Sequence, residues 1–324
     1  MPPSVSIGLV TWNSEAHVER AIEQVRRQTW AGVELLVVDN ASTDRTRALL
    51  EPITVVGERL YADRNLGYSA AHNLAIGRTR GEYYLALNPD VFLEPHFIER
   101  LVEAVASRPA VGAAAGKLLR ADDPLLIDSA GIAMFPSQRH LDRGQGRPDG
   151  PPYDAPAMVF GVTGAAGFYR RAMLEDIAID DEVFDEDFFA YREDADLAWR
   201  AQLLGWQCIY VPAAVALHIR RVTPERRSSL PPEINRMSVR NRFLLRLKNQ
   251  TAGHALRFLV PALWRDLQVV CYCLLRERGS LGAYADVLRL LPRMLAKRRS
   301  IMSRRRATNR QIVSWFRTQS MPVS

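Results

Sequence analysis

Short runs of continuous apolar residues, each ending in a polar cluster, recur along the first 120 residues: VSIGLV before Thr11, LLVV before Asp39, YYLAL before Asn88. A run that is apolar at every position belongs to a strand buried on both faces, and such strands sit in mostly parallel sheets covered by helices. Helical patterns fill the gaps. Ser14 is placed to cap a helix whose Ala21, Ile22 and Val25 share a face, Asp44 to cap a shorter one, and Gly67–Arg78 reads as a third. A further strand is expected between Ile53 and Tyr61, a helix from Pro95 through Val105, and another strand over Val111–Lys117. The alternation predicts βα units on one sheet.

Residues 121–156 break the pattern. They are rich in Gly, Pro, Asp and Arg, as in RGQGRPDGPP at Arg143–Pro152, and predict a long mobile loop. Regular structure is expected again over Met158–Thr163, with a turn at Gly164–Gly167, a helix from Arg192 to Leu204, and strands near Gln207–Val211 and Val215–His218. From Asn235 onward the pattern is almost wholly helical.

Charge divides the chain. The 324 residues carry a net charge of +7, yet residues 1–222 hold 22 basic and 31 acidic side chains, and residues 223–324 hold 21 and 5. A basic tail on an acidic body predicts an anionic partner for the tail. Three Cys in 324 residues exclude a disulfide framework, and Cys271 and Cys273, two apart on a helix, make a poor metal clip. The first residues show no basic lead followed by a long apolar run, so no signal peptide is expected and a reducing, cytoplasmic setting is.

In open α/β sheets ligands bind beyond the carboxyl ends of the strands. Those ends carry Thr11 and Asn13, then Asp39-Asn40-Ala41-Ser42, then Asp63-Arg64-Asn65, then Asn88-Pro89-Asp90. A carboxylate there can accept from the N3–H of a pyrimidine base. Arg64 can pair with phosphate, and the start of the Gly67 helix adds backbone donors. One Asp after a strand is commonly a turn residue; four polar clusters in register along one edge point to a nucleotide.

Five segments, TWNSEAHVERAI, VVDNASTDRT, RNLGYSAAHN, ALNPDV and FFAYREDADLAWRAQLLGW, resemble the family 2 inverting glycosyltransferases of GT-A fold. Within that family the chain looks most like bacterial dTDP-rhamnosyltransferases of cell-wall and surface-polysaccharide assembly. The resemblance spans roughly residues 4–220. It implies a Rossmann-like nucleotide-binding mixed sheet flanked by helices and followed by a helical C-terminal extension. Residues 1–222 would form the catalytic domain, with 1–120 binding the nucleotide sugar and 121–222 the acceptor, and 223–324 the basic helical region.

The resemblance also implies site residues. Asp39 matches the base-contacting acid, with Thr11, Asn13, Asn40 and Ser42 beside it, Asp44 and Arg64 at the nucleotide pocket, and Asn65, Gly67 and Asn73 shaping its floor. Asn88-Pro89-Asp90 takes the place of the family's Asp-x-Asp metal motif, so Asn88 offers a neutral oxygen and Asp90 supplies most of the charge. His218 matches the position from which members contribute a metal-binding His, implying Mg²⁺ or Mn²⁺. Glu193-Asp194 resembles the motif whose Asp is the catalytic base. Gly164 and Ala165, in GVTGAAGFYRR, would lie under the acceptor with Glu193, and Arg170 and Arg171 could meet its phosphate. The segment IDSAG at Ile127–Gly131 also looks like the rhamnosyltransferase subgroup.

Periodicity chooses among the carboxylates. Asp194 shares a face with Leu197, Ala198 and Ala201, whereas Asp196 aligns with Trp199 and Arg200 on a more mixed face, so Asp194 is expected to point into the site. Asp185, Glu186 and Asp187 read as solvated turn charges, with Asp187 within reach of an acceptor.

The expected donor is a nucleotide diphosphosugar, dTDP-β-L-rhamnose ahead of UDP-galactofuranose or another UDP-hexose, and the acceptor a polyprenyl-diphosphate-linked sugar or polysaccharide. A dinucleotide oxidoreductase or a nucleotidylyltransferase would open with a Gly-rich loop where this chain has VTWNSEAH. A non-catalytic nucleotide-sugar or nucleic-acid binding protein is the reading from another class; the tail lacks the interleaved aromatics of a nucleic-acid surface. Leu256–Leu275 contains Arg257, Arg265, Asp266 and Pro261 and is therefore not a membrane span. Tyr284, Leu288, Leu291 and Leu295 form one helical stripe ahead of Lys297, Arg298, Arg299, Arg304, Arg305 and Arg306. That predicts contact with the inner face of the cell membrane, or packing on the body or in a homodimer.

Overall fold

A computed structural model describes residues 2–220 and 231–316. The expected boundary at residue 222 lies outside the described residues. As the sequence predicts, β1 (Val5–Thr11), α1 (Val18–Arg26), β2 (Val33–Asp39), α2 (Thr46–Leu50), β3 (Glu58–Tyr61), α3 (Gly67–Arg78) and β4 (Tyr83–Leu87) alternate. Then come β5 (Val91–Leu93), α4 (Phe97–Ala106), β6 (Val111–Arg120), β7 (Ile127–Ser129), β8 (Ile132–Met134), β9 (His140–Asp142), β10 (Ala157–Val159), β11 (Ala166–Arg170), α5 (Arg171–Ile177), α6 (Glu193–Leu203) and β12 (Gln207–His218). Five helices close the described chain: α7 (Pro232–Asn249), α8 (Ala252–Arg257), α9 (Leu259–Leu275), α10 (Gly282–Ser303) and α11 (Asn309–Ser314).

The main sheet runs β10-β12-β6-β11-β4-β1-β2-β3, with β5 added on β12 and β7 on β6. Strands β1 to β4 pair in parallel, whereas β11 is antiparallel to both neighbours, β4 and β6. This inversion positions the site. It brings the start of β11 to the carboxyl end of β4, where Asn88 N–H donates to the Ala165 carbonyl at 2.9 Å. The antiparallel pairing of β5 with β12 sets His218 opposite Val91, next to Asp90.

The central strands are apolar throughout because each is covered twice. Val5, Ile7, Leu9 and Val37 pack on one face with α1 and α4; Val38, Tyr84, Ala86 and Tyr169 pack on the other with α3 and α6. On α1, Val18, Ala21, Ile22 and Val25 are buried at the expected spacing.

Several local expectations change. Ser14 does not cap α1: its carbonyl, not its hydroxyl, accepts from His17 and Val18, and the helix starts at Val18. The strands expected at Gln207–Val211 and Val215–His218 are one strand, β12, interrupted by a bulge against β6. Residues 121–156 are not a featureless loop. Their glycines make left-handed turns, at Gly131, Gly144, Gly146 and Gly150, that return the chain into β7 and the β8–β9 hairpin. Lys117 anchors the segment through Asp149 at 2.6 Å.

On α10, Leu288 and Leu295 of the expected stripe face solvent, Tyr284 and Leu291 are half-buried, and Ala283, Asp286, Met294, Lys297 and Ile301 are buried. Of the basic run, Lys297 is inside an ion-pair cluster, Arg298 donates to the Gln250 carbonyl, Arg304 to the carbonyls of Asp176 and Ala178, and Arg306 pairs with Asp176. Most of these cations bind the protein itself. No helix among the described residues is long and apolar enough to cross a membrane.

Candidate active site

At one end of the polar strand edge, Asp39 closes β2 opposite Thr11 and is fully buried. Its Oδ2 accepts from the hydroxyls of Thr11 at 3.1 Å and Ser42 at 2.5 Å; its Oδ1 accepts from Ser42 N–H at 3.1 Å and Arg47 Nε at 2.5 Å. Those four donors fill the carboxylate. A base N3–H can therefore reach Asp39 only by replacing one of them, and half-exposed Arg47 is the one nearest solvent. Sequence reading missed Arg47, because an Arg on a short surface helix carries no distinguishing pattern.

Asn13, at φ +48°, accepts from Thr43 N–H at 2.8 Å, and Asp44 accepts from the N–H groups of Glu15 and Thr46, so the turns after β1 and β2 are tied together. Asn40 accepts from Leu66 N–H at 2.6 Å and donates to the Gly67 carbonyl, while Asn65 accepts from Gly67 N–H at 2.9 Å. Gly67 needs to be glycine: it sits at φ +81°, and a Cβ would come 2.5 Å from the Phe189 carbonyl oxygen. Asn73 turns away from the nucleotide edge and clasps the backbone of Phe184 on both sides, at 2.7 and 2.8 Å. Arg64 is exposed at the same rim, without an ion pair among the described residues.

At the centre, His218 Nε2 stands 3.7 Å from Asp90 Oδ1. His218 Nδ1 lies 2.7 Å from Asp128 Oδ2, a carboxylate that accepts and so keeps the proton on Nδ1. Nε2 then turns its lone pair toward Asp90, an arrangement that suits a divalent cation. Among the described residues no group of three or more His, Cys, Asp or Glu is placed to hold a metal ion by itself. Arg220 binds Asp128 and Asp142, each at 2.6 Å. Burial opposes ionisation of Asp128, but His218 and Arg220 hold its pKa at about 2. Asp128, Asp142 and Arg220 were not recognised as site residues from sequence: they come from the segment read as a loop and from just past the last strand. The IDSAG resemblance was the only signal.

The third side is α6. Asp194 Oδ2 accepts from Gly164 N–H at 3.1 Å, and Oδ1 from Ala195 N–H at 2.7 Å. Gly164 in turn accepts on its carbonyl from the Tyr68 hydroxyl at 2.7 Å. Burial and then the charge of Asp142 raise the Asp194 pKa to about 6, against the pull of the two backbone donors. Glu193 is buried with Oε2 unpartnered, and burial followed by the Asp194 charge pushes its pKa well above the usual carboxylate range. The face of Asp196, Trp199 and Arg200, mixed in composition, is buried: Asp196 is sealed from solvent and bound to Arg200, Lys248 and Asn249. Nor are Asp185 and Asp187 solvated: both are buried or nearly so, and pair with Lys297. Arg170 and Arg171 donate to backbone carbonyls behind the sheet, away from any acceptor.

A family model described as glycosyl transferase family 2 matches residues 6–176. The N-acetylglucosaminyl-diphospho-decaprenol L-rhamnosyltransferase of Mycobacterium tuberculosis is 30% identical over 234 residues, 64% of this chain and 74% of that one. The succinoglycan biosynthesis protein ExoO of Rhizobium meliloti is 34% identical over 144 residues, 44% of this chain and 39% of that one. Among solved structures, S. aureus TarS 1-349 in complex with UDP aligns over 97% of this chain and 89% of its own, with TM-score 0.58 and 16% identity. GalNAc-T7 with UDP, GalNAc and Mn²⁺ gives TM-score 0.59 at 14% identity over 76% of this chain, which spans about half (48%) of that protein. The mannosyltransferase PcManGT of Pyrobaculum calidifontis, solved with GDP-Man and Mn²⁺, gives 0.52 at 18% over 97% of this chain and 84% of its own. With its mixed sheet and the polar cluster along the strand ends, the chain belongs to glycosyl transferase family 2.

Proposed function

We propose that this glycosyltransferase moves a hexose, L-rhamnose from dTDP-β-L-rhamnose, to a polyprenyl-diphosphate-linked sugar with inversion at the anomeric carbon. The observation that carries the reaction is Asp194: a carboxylate held by two backbone donors, with its pKa at about 6, at the mouth of an acceptor turn. That value lets it stand ionised at pH 7 while still basic enough to take a hydroxyl proton. The Gly164 N–H fixes Oδ2, and a remaining lone pair accepts the acceptor's proton as its oxygen attacks the anomeric carbon. Glu193 beside it, whose protonated form is favoured by burial and by the Asp194 charge, would donate to an acceptor oxygen. One base suffices, since a single in-line displacement needs no protein nucleophile.

Asp90 and His218 would hold a divalent cation, Mg²⁺ or Mn²⁺, with Asp128 fixing the His218 tautomer. Such an ion supplies charge neutralisation for the departing diphosphate, worth several kcal/mol. Thr11, Asn13, Asp39, Asn40 and Ser42 would frame the base, Arg47 giving way at Asp39, and Arg64 and Asn88 would meet the ribose-diphosphate. The choice of rhamnose is supported by the mycobacterial relative at 30% identity and by the IDSAG segment, whose Asp128 orients His218. A second donor, UDP-galactofuranose, shares the same pocket chemistry.

A panel of dTDP-rhamnose, UDP-galactofuranose, UDP-GlcNAc and UDP-glucose with polyprenyl-diphosphate acceptors tests the reading. Turnover of dTDP-rhamnose above the others is expected. Preference for a UDP-sugar overturns the donor assignment, and product retaining the donor's anomeric configuration overturns the displacement.

A further inference from the structure

Helix α9 is mounted with its polarity reversed. Its acid, Asp266, points inward to Arg242 at 2.9 Å and Arg246 at 2.5 Å, and Ala262 and Cys273 are its buried residues. Outward, Leu256, Val260, Leu263, Trp264, Leu267 and Leu275 run down one side of α8 and α9, from 53% to 77% exposed. Within α9 the spacing of three, one and three places Val260, Leu263, Trp264 and Leu267 on a single stripe, and Leu256 stands on the preceding α8. The stripe extends along a 17-residue helix about 25 Å long. An apolar patch of this extent is a contact surface.

The charges beside it identify the partner. Between Leu256 and Gly279 the basic residues are Arg257, Arg265, Arg276 and Arg278, against Asp266, already paired inward, and Glu277. Arg257 and Arg276 are exposed at opposite ends of the stripe. Two copies joined by this face about a two-fold axis would lay the helices antiparallel, with Arg257 of one against Arg276 of the other, or parallel, with each Arg against its own copy. Like charges meeting there disfavour the pairing. An anionic lipid surface instead attracts both ends, while Leu and Trp side chains enter the headgroup boundary.

We infer that the α8–α9 face, rather than the α10 stripe, docks the protein in the plane of an anionic membrane surface. The surface takes its purpose from the lipid-linked acceptor proposed above, but vesicle binding and transfer to a short soluble acceptor are read separately, so either can fail alone. The full chain is sedimented with phosphatidylcholine vesicles, with and without phosphatidylglycerol, and compared with Leu263→Ser/Trp264→Ser and with Arg257→Glu/Arg276→Glu. All four positions lie outside the core, so melting temperature and transfer to the soluble acceptor should be unchanged. Expected are stronger binding to the anionic vesicles, weakening with salt, a loss of about ten-fold or more in the Ser variant, and loss of the anionic preference in the Glu variant. Equal pelleting of the chain and its Ser variant overturns the inference. So does a dimer in solution that the Ser substitutions convert to monomer, which would assign the face to a second copy.

Discussion

Lys248 on α7 ends 2.7 Å from Asp196 on α6, with both side chains sealed from solvent. The same ammonium reaches Asp185 at 2.5 Å, and Lys297 on α10 binds Asp185 from the other side at 2.6 Å. The C-terminal helices are thus bonded to the helix that carries Asp194 and to the turn before it.

Breaking this cluster should unfold the protein more readily. Burial alone would raise the Asp185 pKa, but Lys248 and Lys297 hold it well below the usual carboxylate range. A depressed carboxylate contributes stability that is present above its unfolded pKa, near 4, and is lost as pH falls through the folded value. Lys297→Met leaves Asp185 and Asp187 short of a partner and should cost about 3–5 kcal/mol at pH 7. Urea midpoints measured between pH 7 and pH 3 should show the gap between variant and parent narrowing at the acid end. A gap independent of pH would mean that Lys297 acts through packing alone.

That cluster marks where sequence reading succeeds and stops. Strands, helices and the polar strand ends were legible through Gly67–Arg78 and Glu193, because a continuous apolar run or a 3.6-residue period reports burial locally. The partners of a charge are not local. Asp185 and Lys297 are 112 residues apart, so the acidic body and basic tail read as separate surfaces when much of their charge is mutually neutralised. Asp142 and Arg220 escaped for the same reason: their meeting depends on a hairpin whose Gly-rich turns resemble those of a loop.

Asp194→Asn preserves the shape but offers one acceptor oxygen, so it keeps one of the two backbone hydrogen bonds and loses the basic lone pair. Transfer should fall by about 10²–10⁴-fold with donor affinity retained. In the parent, the rate should rise with pH through about 6, as Asp194 loses its proton, and the variant should lack that limb. Because the folded pKa is raised, ionising Asp194 opposes folding above about pH 4. The parent should therefore lose stability relative to the variant as pH rises from about 4 through about 6. Glu193→Gln losing all turnover while Asp194→Asn retains it would reverse the assignment.

Asp128→Asn tests the central site without touching a proposed ligand. An amide in place of the carboxylate no longer holds the proton on His218 Nδ1, so the apparent affinity for Mn²⁺ should weaken by about 10–100-fold. Metal titration of activity reads this directly, and excess metal should restore much of the rate. Full parental activity in excess chelator would show that Asn88 and Asp90 serve a metal-independent reaction.

Asn241, fully buried on α7, donates through Nδ2 to the carbonyls of Phe188, Ala190 and Tyr191 at 2.8 to 2.9 Å. It does so where the chain is strained, with Phe189, Tyr191 and Arg192 at φ of +63°, +67° and +73° immediately before α6. Left-handed backbone at such residues costs of order 1 kcal/mol each, and one amide shared by three carbonyls offsets part of it. The conformation matters because it delivers Glu193 and Asp194 at the first turn of α6 against Gly164. Asn241→Leu is similar in volume and removes the side-chain donor of the Ala190 and Tyr191 carbonyls, while the Phe188 carbonyl keeps Arg240 and the Ala190 N–H. Stability should fall by about 1–3 kcal/mol. The turnover number should drop by about ten- to a hundred-fold through misplacement of Asp194, a larger change than in KM for the donor. A fall in donor affinity with turnover preserved would show that this turn shapes the nucleotide pocket and not the position of the base.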